Sequence, residues 1–183
     1  KMSTRKGTTE SMESLLNQMI ERAASINEQS AKKVGVGAVI FNDLKHSPQT
    51  SYKFDWEKAL SMEGDSGPYV QYTAVRAKSV LSRSTLGEIE DDFSKVKLSD
   101  EELKVLRKLY RFEEVVERAT KEFSPNLLCE YLLELSRSFN GFYGNNQVIG
   151  SKNEEFRLSL TTAVAQVLEN GLKLLNVEVP EEM

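Results

Sequence analysis

The sequence predicts a mainly α-helical protein whose second half is an antiparallel helical bundle with short connections. Three observations carry this expectation. Apolar residues return every three or four positions over most of the chain, serine-headed start signals precede several of those stretches, and the intervening runs are short and polar. Of 183 residues, 39% are hydrophobic, enough for a buried core in one ordinary domain and part of a second.

From Thr9 to Asn27, the positions Met12, Leu15, Leu16, Met19, Ile20 and Ala23 form the stripe of an amphipathic helix. The following "AKKVGVGAVIFNDL" reads two ways. It is β-branched and short enough for a strand, yet Val34, Ala38 and Phe41 also fall at helical spacing. A loop, "LKHSPQTSYKF", leads to Asp55 as N-cap of a short helix, "WEKALSM", that stops at Gly64. Ser66, Gly67 and Pro68 open a helix running to about Arg83, with proline in the first turn, where its missing N–H costs nothing.

The connector "STLGEIEDDFSKVK" is polar and acidic and reads as a loop with little to bury. Ser99 and Glu102 form a capping box for a helix with Leu103, Leu106 and Leu109 on one side. Phe112, Val115, Val116 and Ala119 continue that side, after a bend, toward Phe123. Ser124-Pro125 starts the leucine-rich helix "NLLCEYLLELSRSFNGFY", ended by Gly144, with Phe139 and Phe142 in the core. Ser151 and Glu154 make a second capping box, and a long last helix tolerates Gly171 before Pro180 blocks any extension.

Lys and Arg number 24 against 28 Asp and Glu, a net charge of −4, with a pI near 5.3. This argues against indiscriminate polyanion binding but permits a local basic face. No run approaches the roughly 20 apolar residues of a membrane span, and the polar start lacks the apolar centre of a secretory signal. The expectation is a cytoplasmic chain without membrane contact. The single cysteine, Cys129, makes no intrachain disulfide and has no second thiol or nearby histidine for a metal site, so it reads as a small buried apolar residue. His46 lies in a loop with no nucleophile or ligand pattern and reads as solvent-exposed.

The opening "KMSTRKG" places cations beside small hydroxyl residues and a glycine, a composition able to reach phosphate oxygens or simply to fray in solvent. These residues resemble the KMSKS-type signature loop of class I aminoacyl-tRNA synthetases, in the version of arginyl-tRNA synthetases. The resemblance continues in order through "VGVGAVIFNDL", "YKFDWEKALSMEGDSGPYVQYTAVRAKSVL", "NLLCEYLLELSRSFNGFYG" and "FRLSLTTAVAQVLENGLKLLNVEVPEEM", which together cover most of the chain. The "SGPYVQY" block and the ending "VLENGLKLLNVEVPEEM" are its most specific parts.

The resemblance implies the C-terminal part of an arginine-tRNA ligase. Residues 1–66 would be the end of the catalytic domain and 67–183 an anticodon-binding helical bundle, with the nucleotide-binding core and its HIGH motif upstream. The parent would join arginine to its tRNA through an arginyl-adenylate, using ATP with Mg2+. Lys1, Ser3, Arg5 and Lys6 would face the ATP phosphates; Thr4 stands where the family motif has its second lysine, so that role does not carry over. Alone, the chain is expected to hold no ligand, to make no adenylate and to bind tRNA for arginine weakly, with no DNA partner.

The same resemblance assigns Tyr72, Arg76, Tyr143 and Met183 to the anticodon region of tRNA. Tyr72 and Arg76, four apart on one helix face, suit an RNA loop read by stacking and guanidinium contacts. Ala74 departs from the family's usual histidine. The plainer reading of Tyr72 is a half-buried bundle tyrosine with its hydroxyl at the rim. Lys104, Arg107, Lys108 and Arg111 step along one helix as a phosphate-facing stripe or as a solvated face paired with acids, and Arg137 and Arg157 have less context. Two other classes fit the pattern: a free-standing RNA-binding helical module, and a helical protein-interaction scaffold.

Overall fold

The computed structural model describes residues 11–84 and 92–183. Among them the chain forms α1 (Met12–Ala24), α2 (Ala31–Leu44), α3 (Trp56–Leu60), α4 (Gly67–Ser82), α5 (Asp100–Tyr110), α6 (Phe112–Lys121), α7 (Pro125–Asn145) and α8 (Glu154–Leu174), with no strand. Lys1, Ser3, Arg5 and Lys6 lie outside the described residues.

The ambiguous stretch 31–44 is helical, and its glycines explain why. A Cβ added at Gly35 would sit 2.8 Å from Ile20 Cα, and one at Gly37 would sit 2.7 Å from Gln71 Nε2. The two positions let α1 and α4 approach from different sides, so packing offsets the ~1 kcal/mol that each glycine costs a helix. Helix α2 thereby joins two cores. Its Val34, Ala38 and Val39 pack with Met19 and Ala23 of α1 and with Ala59 and Leu60 of α3. Phe41 turns instead into the larger core of α4 to α8, around Phe139, Phe142, Leu132, Leu168 and Leu172.

Several caps follow the sequence. Ser66 Oγ accepts from Tyr69 N at 3.1 Å, Asp55 Oδ1 accepts from Lys58 N at 3.1 Å, and Ser99 and Glu102 form a complete capping box. Helix α3 ends at Leu60, short of Gly64, because Ser61 is already extended. The chain bends at Arg111 between α5 and α6. A Cβ at Gly171 would meet Leu132 Cδ2 at 2.5 Å, so this mid-helix glycine is where α8 rests on α7.

Other expectations need correction. Ser151 does not cap α8: the N-cap is Asn153, and Glu154 Oε2 instead accepts from Gly150 N at 2.8 Å in the preceding turn. Gly144 lies inside α7, which ends at Asn145 because the backbone of Asn146 is extended. On α5 the buried residues are Val105 and Glu102, whereas Leu103, Leu106 and Leu109 are only partly covered. The end of the 84–97 connector buries more than its polarity suggests, because Phe93 meets Phe156 edge to face at 5.5 Å and Val96 packs on the core. His46 is half-buried, stacked on Tyr52 at 3.9 Å, with Nδ1 2.6 Å from the Asn42 carbonyl.

Cys129 is fully buried and free, and burial pushes its thiol up to about 12. No helix among the described residues is long and apolar enough to cross a membrane, and no cluster of metal-ligating side chains occurs among them.

Candidate nucleic-acid interface

Helix α4 presents Tyr72 and Arg76 one turn apart, the spacing at which side chains of a helix meet. The Arg76 guanidinium lies 4.6 Å from the centre of the Tyr72 ring and 5.6 Å from that of Tyr143, which projects from the last turns of α7. Tyr143 is in turn stacked on the buried Phe139 at 6.2 Å. Ring quadrupoles attract the cation over their faces, which stiffens the cluster while keeping it half-exposed.

A polar network underneath fixes Arg76. Its Nη1 donates to Asn140 Oδ1 at 2.7 Å, and Asn140 Nδ2 donates to Tyr69 Oη at 3.0 Å and to Thr73 Oγ1 at 2.9 Å. Thr73 Oγ1 donates onward to the Tyr69 carbonyl at 2.8 Å. A charged side chain is thus oriented by neutral groups, and among the described residues no carboxylate forms an ion pair with it. Ala74, on the opposite side of α4, is fully buried.

The third wall is the C-terminal tail. Asn176 adopts φ 58° and ends the long helix, Val177 is buried, and the chain runs on to Met183, which packs beside the α1–α3 core. Two hollows result. One, of about 520 Å³, is lined by Tyr72, Arg76, Arg83, Tyr143, Glu182 and Met183 among others. Its neighbour, of about 540 Å³, has Tyr69, Tyr72, Arg76, Asn140, Met62 and Met183 in its walls. Tyr72, Arg76, Tyr143 and Met183, far apart in sequence, therefore border one groove, with aromatic faces, a guanidinium plane and a thioether available to a flat ligand.

The remaining cations divide. Lys108 is paired with Glu134 of α7, and Arg111 with Glu114 at 3.5 Å. Lys104 and Arg107 are exposed. Arg137 pairs with Asp65. Arg157 is largely covered and its donors are committed to structure: its Nε donates to Glu102 Oε1 at 2.8 Å, its Nη1 to the Gln147 carbonyl at 2.7 Å and its Nη2 to Asn146 Oδ1 at 3.3 Å. Burial pushes the Glu102 carboxyl up, but the Ser99 N–H and then Arg157 outweigh it and leave the group below its ordinary value.

Comparison with known proteins now identifies the bundle. The model of the DALR anticodon-binding domain matches residues 70–183. The chain belongs to the DALR anticodon-binding domain family. Arginine-tRNA ligases of Clostridium botulinum and Halothermothrix orenii are 38% and 39% identical over the whole of this chain, which covers 35% and 34% of them. The Thermus thermophilus arginyl-tRNA synthetase structure superposes on 97% of this chain with a TM-score of 0.87 at 33% identity, over 33% of its own length. That from Plasmodium falciparum gives a TM-score of 0.82 at 25% identity, covering 94% of this chain and 33% of its own. The chain thus spans about a third of the length of these relatives.

Within this DALR domain, sequence reasoning missed Asn140 and Gln71, the side chains that hold the groove together. The available signal was a polar residue on an otherwise apolar helix face, where burial demands a partner. Glu102 was legible only as a cap, because its ion pair spans 55 positions.

Proposed function

We propose that the groove bordered by Tyr72, Arg76, Tyr143 and Met183 receives the anticodon loop of tRNA for arginine. The observation that carries this is the half-exposed Arg76 guanidinium held against two tyrosine rings in a family of anticodon-binding domains. Splayed bases gain stacking on rings and guanidinium planes, and Arg76 supplies N–H donors to base edges or phosphate.

In the parent reading, residues 1–66 complete a catalytic domain and 67–183 grip the tRNA. That enzyme attaches arginine to tRNA with ATP and Mg2+ through an arginyl-adenylate, and Lys1, Ser3, Arg5 and Lys6 act on the ATP phosphates. The signature loop provides cations but not the nucleotide fold that aligns the reactants, so this chain alone forms no adenylate.

The test is binding of a tRNA-arginine transcript against one with an altered anticodon loop, at two salt concentrations, to wild type and Tyr72→Ala. The expected result is a preference for the intact loop that the substitution erases. Equal, weak binding of both RNAs rejects the groove as the reader.

A further inference from the structure

The groove's tail wall is short, exposed at its tip and outside any helix, yet it is placed beside Tyr72 and Arg76. One buried side-chain amide pins it to two neighbouring segments. Gln71, adjacent to Tyr72 but pointing to the other side of α4, is fully buried. Its Nε2 donates to the Glu178 carbonyl of the tail at 2.7 Å and to the Lys33 carbonyl of α2 at 3.1 Å. Gly37 leaves the space that this amide fills, since a Cβ there would lie 2.7 Å from Nε2 and 3.0 Å from Val177 Cγ1. Lys33 Nζ, 3.9 Å from Glu178 Oε2, adds an exposed and weaker tie.

We propose that Gln71 is a positioning residue for RNA binding: it clips the C-terminal tail to α2 and α4 and so sets Glu182 and Met183 at the groove. Gln71 touches no bound RNA itself in this scheme. The proposal rests on the reading of the groove as an RNA site, but its first consequence concerns the tail alone. Both amide protons are used on main-chain acceptors of two separate segments, a job for which an apolar side chain of the same size has no substitute. Because Pro180 follows two residues after the clip and is itself buried, order at Glu178 is transmitted to the last residues with little backbone freedom.

The test uses the whole chain in two arms. In the first, without RNA, carboxypeptidase release of Met183 and Glu182 is timed for wild type and Gln71→Met. About tenfold faster release from Gln71→Met, with helical circular dichroism retained, is expected, and an unchanged rate overturns the proposal. Gly37→Ala, which crowds the amide from the other side, provides the same readout should Gln71→Met fail to fold.

In the second arm, tRNA affinity is measured for Gln71→Met, for a chain lacking residues 181–183, and for the combination. If Gln71 acts through the tail, the combined variant binds no more weakly than the truncation alone. Additive losses overturn the positioning role. Absence of RNA binding by wild type rejects the groove reading instead, while the release rates still decide the clip.

Discussion

Phe142 and Tyr143 are neighbours in α7, yet the arginine facing each is used oppositely. Arg157 lies 6.0 Å from the centre of the Phe142 ring, its side chain only 15% exposed, with donors committed to Glu102, the Gln147 carbonyl and Asn146. Arg76 stands over Tyr72 and Tyr143 with Asn140 as its hydrogen-bonding partner and solvent beside it. The first site is closed chemistry that holds α5, α7 and α8 together. The second is open chemistry, oriented but not consumed. An arginine beside an aromatic ring is therefore not a recognition site by composition, and the presence or absence of a buried carboxylate decides.

The sharpest expected contrast is in stability. Glu102→Ala strands the Arg157 charge and should cost about 3 kcal/mol, read by urea denaturation, with RNA affinity per folded molecule nearly unchanged. Tyr72→Ala should do the reverse: about tenfold or greater loss of affinity for an intact anticodon loop, with a much smaller change in the unfolding midpoint. If Tyr72→Ala melts the bundle as badly as Glu102→Ala does, the groove is structural after all.

The two sites should also part with pH. The Glu102 carboxyl titrates below its ordinary value in the folded chain, so folding favours its ionised form. Its contribution is present above the unfolded carboxylate value and is lost as pH falls through the lower folded value. Thermal unfolding of wild type should thus fall more steeply below about pH 4 than that of Glu102→Gln, and parallel curves would remove the ion pair from the acid response.

The smallest expected effect lies away from both sites. Phe123 ends α6 at φ 50° and is 87% exposed, so a side chain occupies a left-handed position that suits glycine. Phe123→Gly should stabilise the chain by about 0.5–1 kcal/mol, checked by the denaturation midpoint. Cys129, with its thiol pushed up to about 12 by burial, should react with a thiol reagent only on unfolding and so report each of these transitions.

Helix starts were the most legible feature of the sequence, because a cap is a contact across three residues: Ser66, Asp55 and Ser99 each name their acceptor role locally. Amphipathic stripes were legible for the same reason, and with them the helical class and the α5–α6 bend. Ser151 failed as a cap although its spacing was right, because the Gly150 turn captured the Glu154 carboxylate first. The stretch 31–44 was undecidable from periodicity, and only the backbone of α1 and the amide of Gln71 lying against its glycines give those glycines their purpose.

At the candidate site, sequence placed Tyr72 and Arg76 on one face, since helical geometry follows from spacing alone. It said nothing of how Tyr143 and Met183 reach them, or of Asn140 and Gln71, whose partners lie 64 and 107 positions away. Local rules act through a few bonds and survive in any context. Which arginine is neutralised and which is left facing solvent, and where the tail is pinned, depend on buried groups finding partners across the chain, and a buried polar group has no cheap alternative to the partner that packing brings to it.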